Sequence, residues 1–237
     1  MGKQKILIVS LLTAVLVNSV ADLKAASEKT VNCRKAGDKI TVDGNLKDWT
    51  KAEPAYVTKS ASYVEKGKVK DDSDLSVAFY TLYDEVNLYF AAIVTDDEVI
   101  TRQKDGAIWQ DDCIEIWLDD ANDSTTPIMF ADDDYQIGVS PQSETRKSTE
   151  SYVWQNPDAE LVMKAIKVAS ALTDKGYIIE ASIPIKVLYE LDPKSQKVIG
   201  FNISVCDLDK DGVWTHITWS GKLHSDPTQF GKLYFVE

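Results

Sequence analysis

The stretch Trp109-Gln-Asp-Asp-Cys-Ile-Glu-Ile-Trp-Leu-Asp-Asp120 alternates apolar and polar side chains over its second half. From Cys113 to Asp119, isoleucine or leucine occupies every second position, and Glu115 and Trp117 fall between them. A repeat of two is typical of a β-strand that packs one face on a core. The pattern therefore predicts a strand whose other face carries a carboxylate and an indole.

Trp109 lies just before this strand, where a loop could place its indole over the same face as Glu115. An indole can stack on the apolar C–H face of a sugar ring while a carboxylate accepts hydrogen bonds from the hydroxyls. Packing in the protein interior is the alternative role for a tryptophan beside a strand. We therefore treat Trp109 and Glu115 as candidate ligand-binding residues.

The first residues have the pattern of an export signal. Lys3 and Lys5 precede an apolar run from Ile6 to Val17, and the small residues Ser19-Val-Ala21 follow where a signal peptidase cleaves. The apolar run is shorter than the roughly 20 residues that a membrane-spanning helix needs. We therefore expect a signal peptide over residues 1–21 and a mature protein without a membrane span, secreted, periplasmic or at the cell surface.

Charge and length limit the class of protein. The chain has 237 residues and a formal net charge of -12, so it would repel nucleic acid backbones. Residues 22–37 are polar and without periodicity, and we predict an N-terminal extension there and a single domain over residues 38–237. Cys33, Cys113 and Cys206 allow either one disulfide with one free thiol or three buried thiols.

Alternating runs predict an all-β fold. Ordered structure is expected to begin with a strand at Lys39–Gly44, followed by one helical turn that places Trp49 in a core. Further strands are predicted over residues 75–83, 86–95, 135–140, 160–172, 177–183, 198–206, 213–219 and 232–236. About ten strands without a long helix predict a two-sheet antiparallel β-sandwich, similar to a jelly roll. Antiparallel pairing of the 135–140 strand with the 113–119 strand would place Gln136 beside Glu115.

The segment Asp207-Leu-Asp-Lys-Asp-Gly212 matches the opening of a calcium-binding loop, in which Asp207, Asp209 and Asp211 would converge on the ion. Thr218 stands where such a loop has its glutamate, and an ordinary hairpin turn is the alternative. Other acidic clusters occur at residues 96–97, 111–112, 119–120 and 132–134. We predict a structural calcium ion, and the sequence does not choose among these clusters.

Signals for catalysis are weak. The sequence has no histidine pair at helical spacing, no Gly-x-Ser-x-Gly motif and no phosphate-binding glycine loop. His216 lies in a predicted strand, where we expect a structural role, whereas His224 lies in a loop from which it could reach a ligand. We therefore expect a binding protein rather than an enzyme.

Several short motifs occur in a defined order along the chain. They are Val42-Asp-Gly44 with Trp49, Asn87-Leu-Tyr89 leading to Val94-Thr-Asp-Asp97, Trp109 with Asp112, Glu115, Ile116 and Leu118-Asp119, and Phe230-Gly231 before the last strand. This set resembles the family 9 carbohydrate-binding modules and their DOMON-like relatives over residues 38–237. The resemblance implies an exported β-sandwich with structural calcium that holds a saccharide between two tryptophans, with carboxylate, amide and arginine side chains bound to the hydroxyls.

By position, Trp109 matches the first tryptophan of this family and Glu115 its companion acid. Gln136 stands where the arginine of the family would fall. His224 stands where the second tryptophan is expected, and Trp219 is the nearest indole. The resemblance therefore implies a site of Trp109, Glu115 and Gln136, closed by His224 or Trp219.

Two other classes of function remain open. Some relatives of this sandwich bind haem through methionine, histidine or lysine, and Met129 and Met163 are available here. A structural or adhesion module is the other class. If the protein serves polysaccharide degradation, we expect its partner to be a separate glycoside hydrolase, because no catalytic motif accompanies the candidate site.

Overall fold

The computed structural model describes residues 28–127, 130–154, 156–189 and 191–237. The predicted signal peptide, residues 1–21, lies outside these ranges, as does Met129. Within them the chain forms thirteen strands, one short α-helix and four 3-10 helices. No helix in the described ranges is both long and apolar enough to cross a bilayer.

The elements follow one another in this order. The strands are β1 (Thr30–Lys35), β2 (Ala55–Val57), β3 (Tyr63–Lys66), β4 (Leu75–Tyr83), β5 (Asn87–Asp96), β6 (Cys113–Asp119), β7 (Asp134–Ser140), β8 (Glu150–Trp154), β9 (Lys167–Thr173), β10 (Gly176–Pro184), β11 (Val198–Leu208), β12 (Trp214–Thr218) and β13 (Gly231–Val236). The helix α1 (Ala159–Ala165) precedes β9, and the 3-10 helices are Leu46–Asp48, Asp105–Gln110, Ile185–Val187 and Pro227–Gln229.

The strands form two layers. Hydrogen-bonded neighbours run in the order β8-β7-β6-β11-β13 in the first layer and β4-β5-β10-β9 in the second, while β12 extends from β11 to β3 and β2 pairs with β4. Strand β1 joins the layers because it pairs in parallel with both β13 and β4. The other pairings among the described strands are antiparallel, which confirms the predicted all-β sandwich.

The core lies between the layers. The apolar face of β6, predicted from the alternation of its sequence, is buried there together with the inward residues of β4, β5, β10 and β11. The ring of Phe79 on β4 lies 6.0 Å from that of Phe201 on β11, so side chains from the two layers interdigitate. Burying each large apolar side chain stabilises the fold by roughly 1.5–3 kcal/mol.

Strand β1 corrects the predicted boundary of the ordered domain. It lies inside residues 22–37, which we expected to be an extension, yet it occupies a central position between β13 and β4. Its two core side chains, Val31 and Cys33, form too short an alternation to signal a strand. Parallel pairing with two distant strands stabilises β1, and sequence periodicity does not report such pairing.

Residues 39–44 form no strand, contrary to expectation, because side-chain carboxylates bind their backbone amides. Asp48 Oδ2 accepts a hydrogen bond from the amide of Thr41 at 2.7 Å, and Glu180 Oε2 accepts one from Asp43 at 2.9 Å. The expected turn is present, since Gly44 has a φ of +85° and a Cβ there would lie 3.1 Å from the Ser170 backbone.

The segment predicted as a strand over residues 160–172 divides into helix α1 and strand β9. Val162 buries its side chain against the core, and Lys164 forms an ion pair with Glu160 one turn earlier. That i, i+4 pairing supports a helix where β-branched content alone favoured a strand.

Candidate functional site

The outward face of the first layer contains a cavity of about 430 Å³. Strands β6, β7, β11 and β12 form its floor, and the segment before β6 forms part of its wall. The residues that line it are Glu65, Lys66, Trp109, Glu115, Gln136, Trp154, Cys206, Trp214, His216 and His224. The cavity therefore combines three indoles with carboxylate, amide and imidazole groups.

Two of these indoles meet at the wall. Trp109 lies in the 3-10 helix Asp105–Gln110 and remains 41% exposed, which is high for a tryptophan in a folded domain. Its ring centroid lies 5.7 Å from that of Trp214 with the planes at 83°, and the Trp214 Nε1 donates a hydrogen bond to the Trp109 carbonyl at 3.0 Å. Each indole therefore fixes the orientation of the other.

Glu115 lies at the floor, where it is only 3% exposed. Its Oε1 accepts a hydrogen bond from Gln136 Nε2 at 3.1 Å, and its Oε2 accepts one from Ser204 Oγ at 2.7 Å. His216 Nε2 lies 3.3 Å from the same Oε2. The carboxylate thus orients an amide and an imidazole that themselves line the cavity.

A second carboxylate continues this row of polar groups. Glu65 Oε2 lies 3.3 Å from His216 Nδ1 and 2.5 Å from His224 Nδ1, and it also accepts a hydrogen bond from the His224 amide at 3.2 Å. Glu115, His216, Glu65 and His224 therefore form one continuous chain of contacts along the cavity.

The charges in this chain stabilise one another. Burial alone lowers the pKa of His216, but its hydrogen bonds to Glu115 and Glu65 outweigh burial and raise the pKa to about 9. Burial raises the pKa of Glu65, but hydrogen bonds from the two histidines bring it down to about 2. Burial also raises the pKa of Glu115, but the hydrogen bond and the charge of His216 lower it, and the net effect is a lowered pKa. At neutral pH, His216 is therefore an imidazolium between two carboxylates.

The structure brings together four of the five predicted ligand-binding residues, namely Trp109, Glu115, Gln136 and His224. The prediction for Trp219 is wrong. Its side chain is 3% exposed and packs edge-on against Phe79 in the core at 5.5 Å. The indoles that accompany Trp109 in the cavity are Trp214 and Trp154.

Strand spacing could have distinguished Trp214 from Trp219. Trp214 and His216 share the outer face of β12, and their rings stack at 5.5 Å with the planes 6° apart. Ile217 points into the core from the same strand, and Trp219 follows it by two positions. Because side chains alternate between faces, an odd separation places Trp214 and Trp219 on opposite faces.

The three aspartates predicted as calcium ligands do not converge. Asp209 and Asp211 belong to a hairpin turn, in which the Gly212 amide donates to the Asp209 carbonyl and Asp211 accepts from the Val213 amide at 2.9 Å. Asp207 instead lies beside Asp96 and Asp112, and the three buried carboxylates offer oxygens within 4.8 Å of one another. The structure therefore favours the hairpin-turn alternative for Asp209 and Asp211, and calcium binding stays a prediction.

The Asp96, Asp112 and Asp207 cluster has the donor chemistry of a hard cation. All three groups supply carboxylate oxygens, and Asp96 Oδ2 is buried without a hydrogen-bond partner. Burial raises the pKa of Asp207 to about 8, and the charge of Asp96 adds to the rise. Burial and the charge of Asp96 likewise raise the pKa of Asp112. A calcium ion would offset both the burial of these carboxylates and their mutual repulsion, so the residues fit the ion.

A second acidic cluster comprises Asp119, Asp133 and Asp134, whose oxygens also lie within 4.8 Å of one another. Burial raises the pKa of Asp134 to about 7. The backbone amides of Asp123 and Ser124 donate hydrogen bonds to the two carboxylate oxygens of Asp119, so this carboxylate already has protein partners.

Cys206 lines the cavity, whereas Cys33 belongs to the hydrophobic core and Met163 packs against it. Cys33, Cys113 and Cys206 are all buried free thiols, which matches the three-thiol alternative. Met163 packs against the hydrophobic core rather than at an open cavity.

A family model described as "Carbohydrate family 9 binding domain-like" matches residues 42–237. The chain belongs to this family. The relatives in sequence include endo-1,4-beta-xylanase A of Thermoanaerobacterium saccharolyticum, 30% identical over 64% of this chain and 12% of the enzyme. Endo-1,4-beta-xylanase C of Paenibacillus barcinonensis is 31% identical over 83% of this chain and 16% of the enzyme. The chain thus matches only a small part of each xylanase.

Solved structures of family 9 modules have the same fold. A module from Caldicellulosiruptor kristjanssonii in complex with cellotriose superimposes with a TM-score of 0.67 at 18% identity, covering 87% of this chain and 93% of the module. Its complex with glucose gives a TM-score of 0.64 at 18% identity, covering 88% and 96%. The predicted family and its β-sandwich fold are therefore confirmed.

Proposed function

We propose that this chain is an exported, non-catalytic protein that binds a saccharide in the cavity beside Trp109 and Trp214. The observation that carries the proposal is a partly exposed indole pair next to a row of oriented polar side chains. Indole rings stack on the apolar face of a sugar, and amide, imidazole and carboxylate groups bind its hydroxyls.

The ordered polar groups suit hydroxyl recognition. Gln136 and His216 are fixed by Glu115 before a ligand arrives, so binding costs little side-chain entropy. Lys66 adds a cation 5.7 Å from the Trp214 ring centroid and supports the position of that indole. A neutral sugar with several hydroxyls fits this mixture of donors and acceptors.

The state of the cavity carboxyls supports the non-catalytic part of the proposal. Glycoside hydrolysis needs one carboxyl group with a raised pKa that donates a proton to the leaving group. The pKa of Glu65 is lowered to about 2 and that of Glu115 is also lowered, because His216 binds both. Neither group therefore retains a proton to donate at neutral pH.

Family 9 structures with cellotriose and glucose, and the match to endo-1,4-beta-xylanases, support β-linked glucose or xylose saccharides as ligands. The basic and apolar pattern of residues 1–21 supports export. An exported binding protein would act beside glycoside hydrolases that cleave the same polysaccharide.

Isothermal titration with glucose, cellotriose and xylotriose tests the proposal. Trp109→Ala should lose about 1–3 kcal/mol of binding free energy, as truncation of an aromatic contact residue typically does. Tyr56→Ala is the matched control, because Tyr56 is an exposed aromatic residue that does not line the cavity. Absence of saturable binding to these sugars and to a wider glycan array would favour an adhesion module, and a Soret band would favour haem.

A structural calcium ion on Asp96, Asp112 and Asp207 is part of the same proposal. Asp96 ends β5 in one layer, whereas Asp112 precedes β6 and Asp207 lies in β11 of the other. Asp112 is already oriented, since its two oxygens accept hydrogen bonds from the amides of Ile100 and Leu208. An ion at this position would hold the two layers together.

Thermal unfolding in calcium and in EDTA tests this ion. At a calcium concentration 100 times the dissociation constant, bound calcium should add about 2.7 kcal/mol of stability. Asp207→Asn should abolish that increment, whereas Asp211→Asn, in the hairpin turn, should keep it. An equal increment in wild type and Asp207→Asn would contradict the assignment.

A further inference from the structure

Three side chains at the edge of the cavity form a group with nitrogen and oxygen donors. Glu65 on β3, His216 on β12 and His224 in the following loop each offer one ligand atom, and these atoms lie within 4.8 Å of one another. The separations of Glu65 Oε2 from the two imidazole Nδ1 atoms are 3.3 Å and 2.5 Å. In a tetrahedral zinc site with bonds near 2.0–2.1 Å, ligand atoms are about 3.3 Å apart. Small side-chain movements would therefore bring these three donors to bonding distance of one ion.

We propose that Glu65, His216 and His224 bind a divalent transition-metal cation, with Zn²⁺ as the best match. Two imidazole nitrogens and one carboxylate oxygen are donors that zinc prefers, and they differ from the all-oxygen donors that calcium takes. All three residues line the cavity, so a fourth position on the ion would face the cavity and accept water or a ligand oxygen.

The surroundings of His216 resemble the outer shell of a metal site. The Nδ1 atom of His216 faces Glu65, while its Nε2 lies 3.3 Å from Glu115 Oε2. An imidazole that binds a metal through one nitrogen usually donates its other N–H to a carboxylate. Ser204 and Gln136 in turn fix Glu115 by hydrogen bonds at 2.7 Å and 3.1 Å. The ring of His216 is thus held in the orientation that coordination through Nδ1 requires.

The local charge also favours a cation. Glu65 and Glu115 approach His216 from opposite sides, and both side chains are largely buried, with 20% and 4% exposure. Two carboxylates in a buried setting need positive charge between them. In the metal-free protein the His216 imidazolium supplies this charge, and a metal ion bound to Glu65 and the two imidazoles would replace the Nδ1 proton of His216 and keep a positive charge between the carboxylates. The proposal concerns a second ligand of the cavity and does not require that a sugar binds.

The test is titration of the EDTA-treated, dialysed protein with ZnCl2 in the presence of excess CaCl2 and without sugar. The excess calcium should fill the clusters that offer only carboxylate oxygens, so that the titration reports zinc binding at the site with imidazole nitrogens. Wild type should bind one equivalent of zinc. Glu65→Gln and His224→Ala should each weaken binding by about 100-fold, and Glu115→Gln by about tenfold, within the range for lost outer-shell partners. Glu160→Gln is the control, because Glu160 forms an exposed ion pair on α1.

Cobalt substitution gives a second readout that needs no variant. Co²⁺ bound by two imidazoles and a carboxylate should show intense visible d–d bands without a thiolate charge-transfer band. A thiolate band would place the ion on Cys206, which lies near Glu115 and His216, and would overturn the assignment. Zinc affinities unchanged in both Glu65→Gln and His224→Ala, or no zinc binding in wild type, would overturn it as well. Sugar titrations of the zinc-free protein in excess CaCl2 test the saccharide proposal separately, so either proposal can fail alone.

Discussion

The two layers of the sandwich each carry a buried glutamate on the outer face, and the surroundings of these glutamates differ. Glu180 on β10 is fully buried and accepts hydrogen bonds from the Trp49 indole at 2.7 Å and from the amides of Asp43, Gly44 and Asn45. Glu115 on β6 is bound only by side chains, those of Gln136, Ser204 and His216. Both carboxylates lie beside an indole, yet only one of them borders a cavity.

The difference lies in what covers each face. The segment before β2 places Trp49 and Ile40 directly on the outer face of β4 and β5, so that face becomes a second small core. Over Glu115, the segment before β6 instead places Trp109 at the rim, 41% exposed, and leaves a cavity of about 430 Å³. A covering loop whose backbone satisfies the carboxylate makes a structural site. A loop that leaves side-chain donors facing a cavity makes a site for a ligand.

The largest expected effect concerns the indole that closes the Glu180 face. Trp49→Ala should cost about 3–5 kcal/mol of unfolding free energy, as truncation of a buried tryptophan does, and it removes a hydrogen-bond donor from Glu180. Urea denaturation measures this loss. Saccharide affinity of the folded variant should be unchanged. Weakened sugar binding by folded Trp49→Ala would show that the two faces are coupled rather than independent.

A smaller effect is expected from exchange of each glutamate for its isosteric amide. Glu180 Oε2 accepts from three backbone amides and Oε1 from the Trp49 indole, so the NH2 group of Glu180→Gln must face at least one N–H donor. The substitution should therefore cost about 1–3 kcal/mol of stability with no loss of sugar affinity. Glu115→Gln should instead weaken sugar binding, because Gln136 and His216 lose the carboxylate that orients them. Urea denaturation and calorimetry on both variants give the comparison.

Equal losses of sugar affinity in Glu180→Gln and Glu115→Gln would remove the distinction between a structural and a ligand-binding carboxylate. Loss of stability without any change in sugar affinity in both variants would place the ligand away from Glu115.

Alternation within strands was sufficient to predict much of the first layer. The predicted bounds of β6 are those of the structure, and the expected antiparallel register with β7 places Gln136 3.1 Å from Glu115. The β4–β5 hairpin was predicted for the same reason, since each strand has nine or ten residues and a buried face. Local periodicity specifies which side chains share a face, and a short turn specifies which strands pair.

Contacts between residues that are far apart in the sequence could not be predicted from strand alternation. Strand β1 depends on parallel pairing with β13 and β4, which are far from it in sequence. The Asp96, Asp112 and Asp207 cluster joins three separate segments, whereas sequence spacing favoured neighbouring acids. The position of His216 in the cavity was also missed, because a strand histidine is informative only once Glu65 and Glu115 are known to flank it.

The smallest expected effect concerns the amide that replaces the arginine expected at this position. Gln136 donates one hydrogen bond to Glu115 at 3.1 Å and borders the cavity, so Gln136→Ala should cost about 0.5–1.5 kcal/mol of sugar-binding free energy. Calorimetry measures this loss against Gln142→Ala. Gln142 also donates a side-chain hydrogen bond at 3.1 Å, to the Ser170 carbonyl outside the cavity, so its loss should leave affinity unchanged. Equal affinities for the two variants would show that Gln136 acts only through the packing of the outer face.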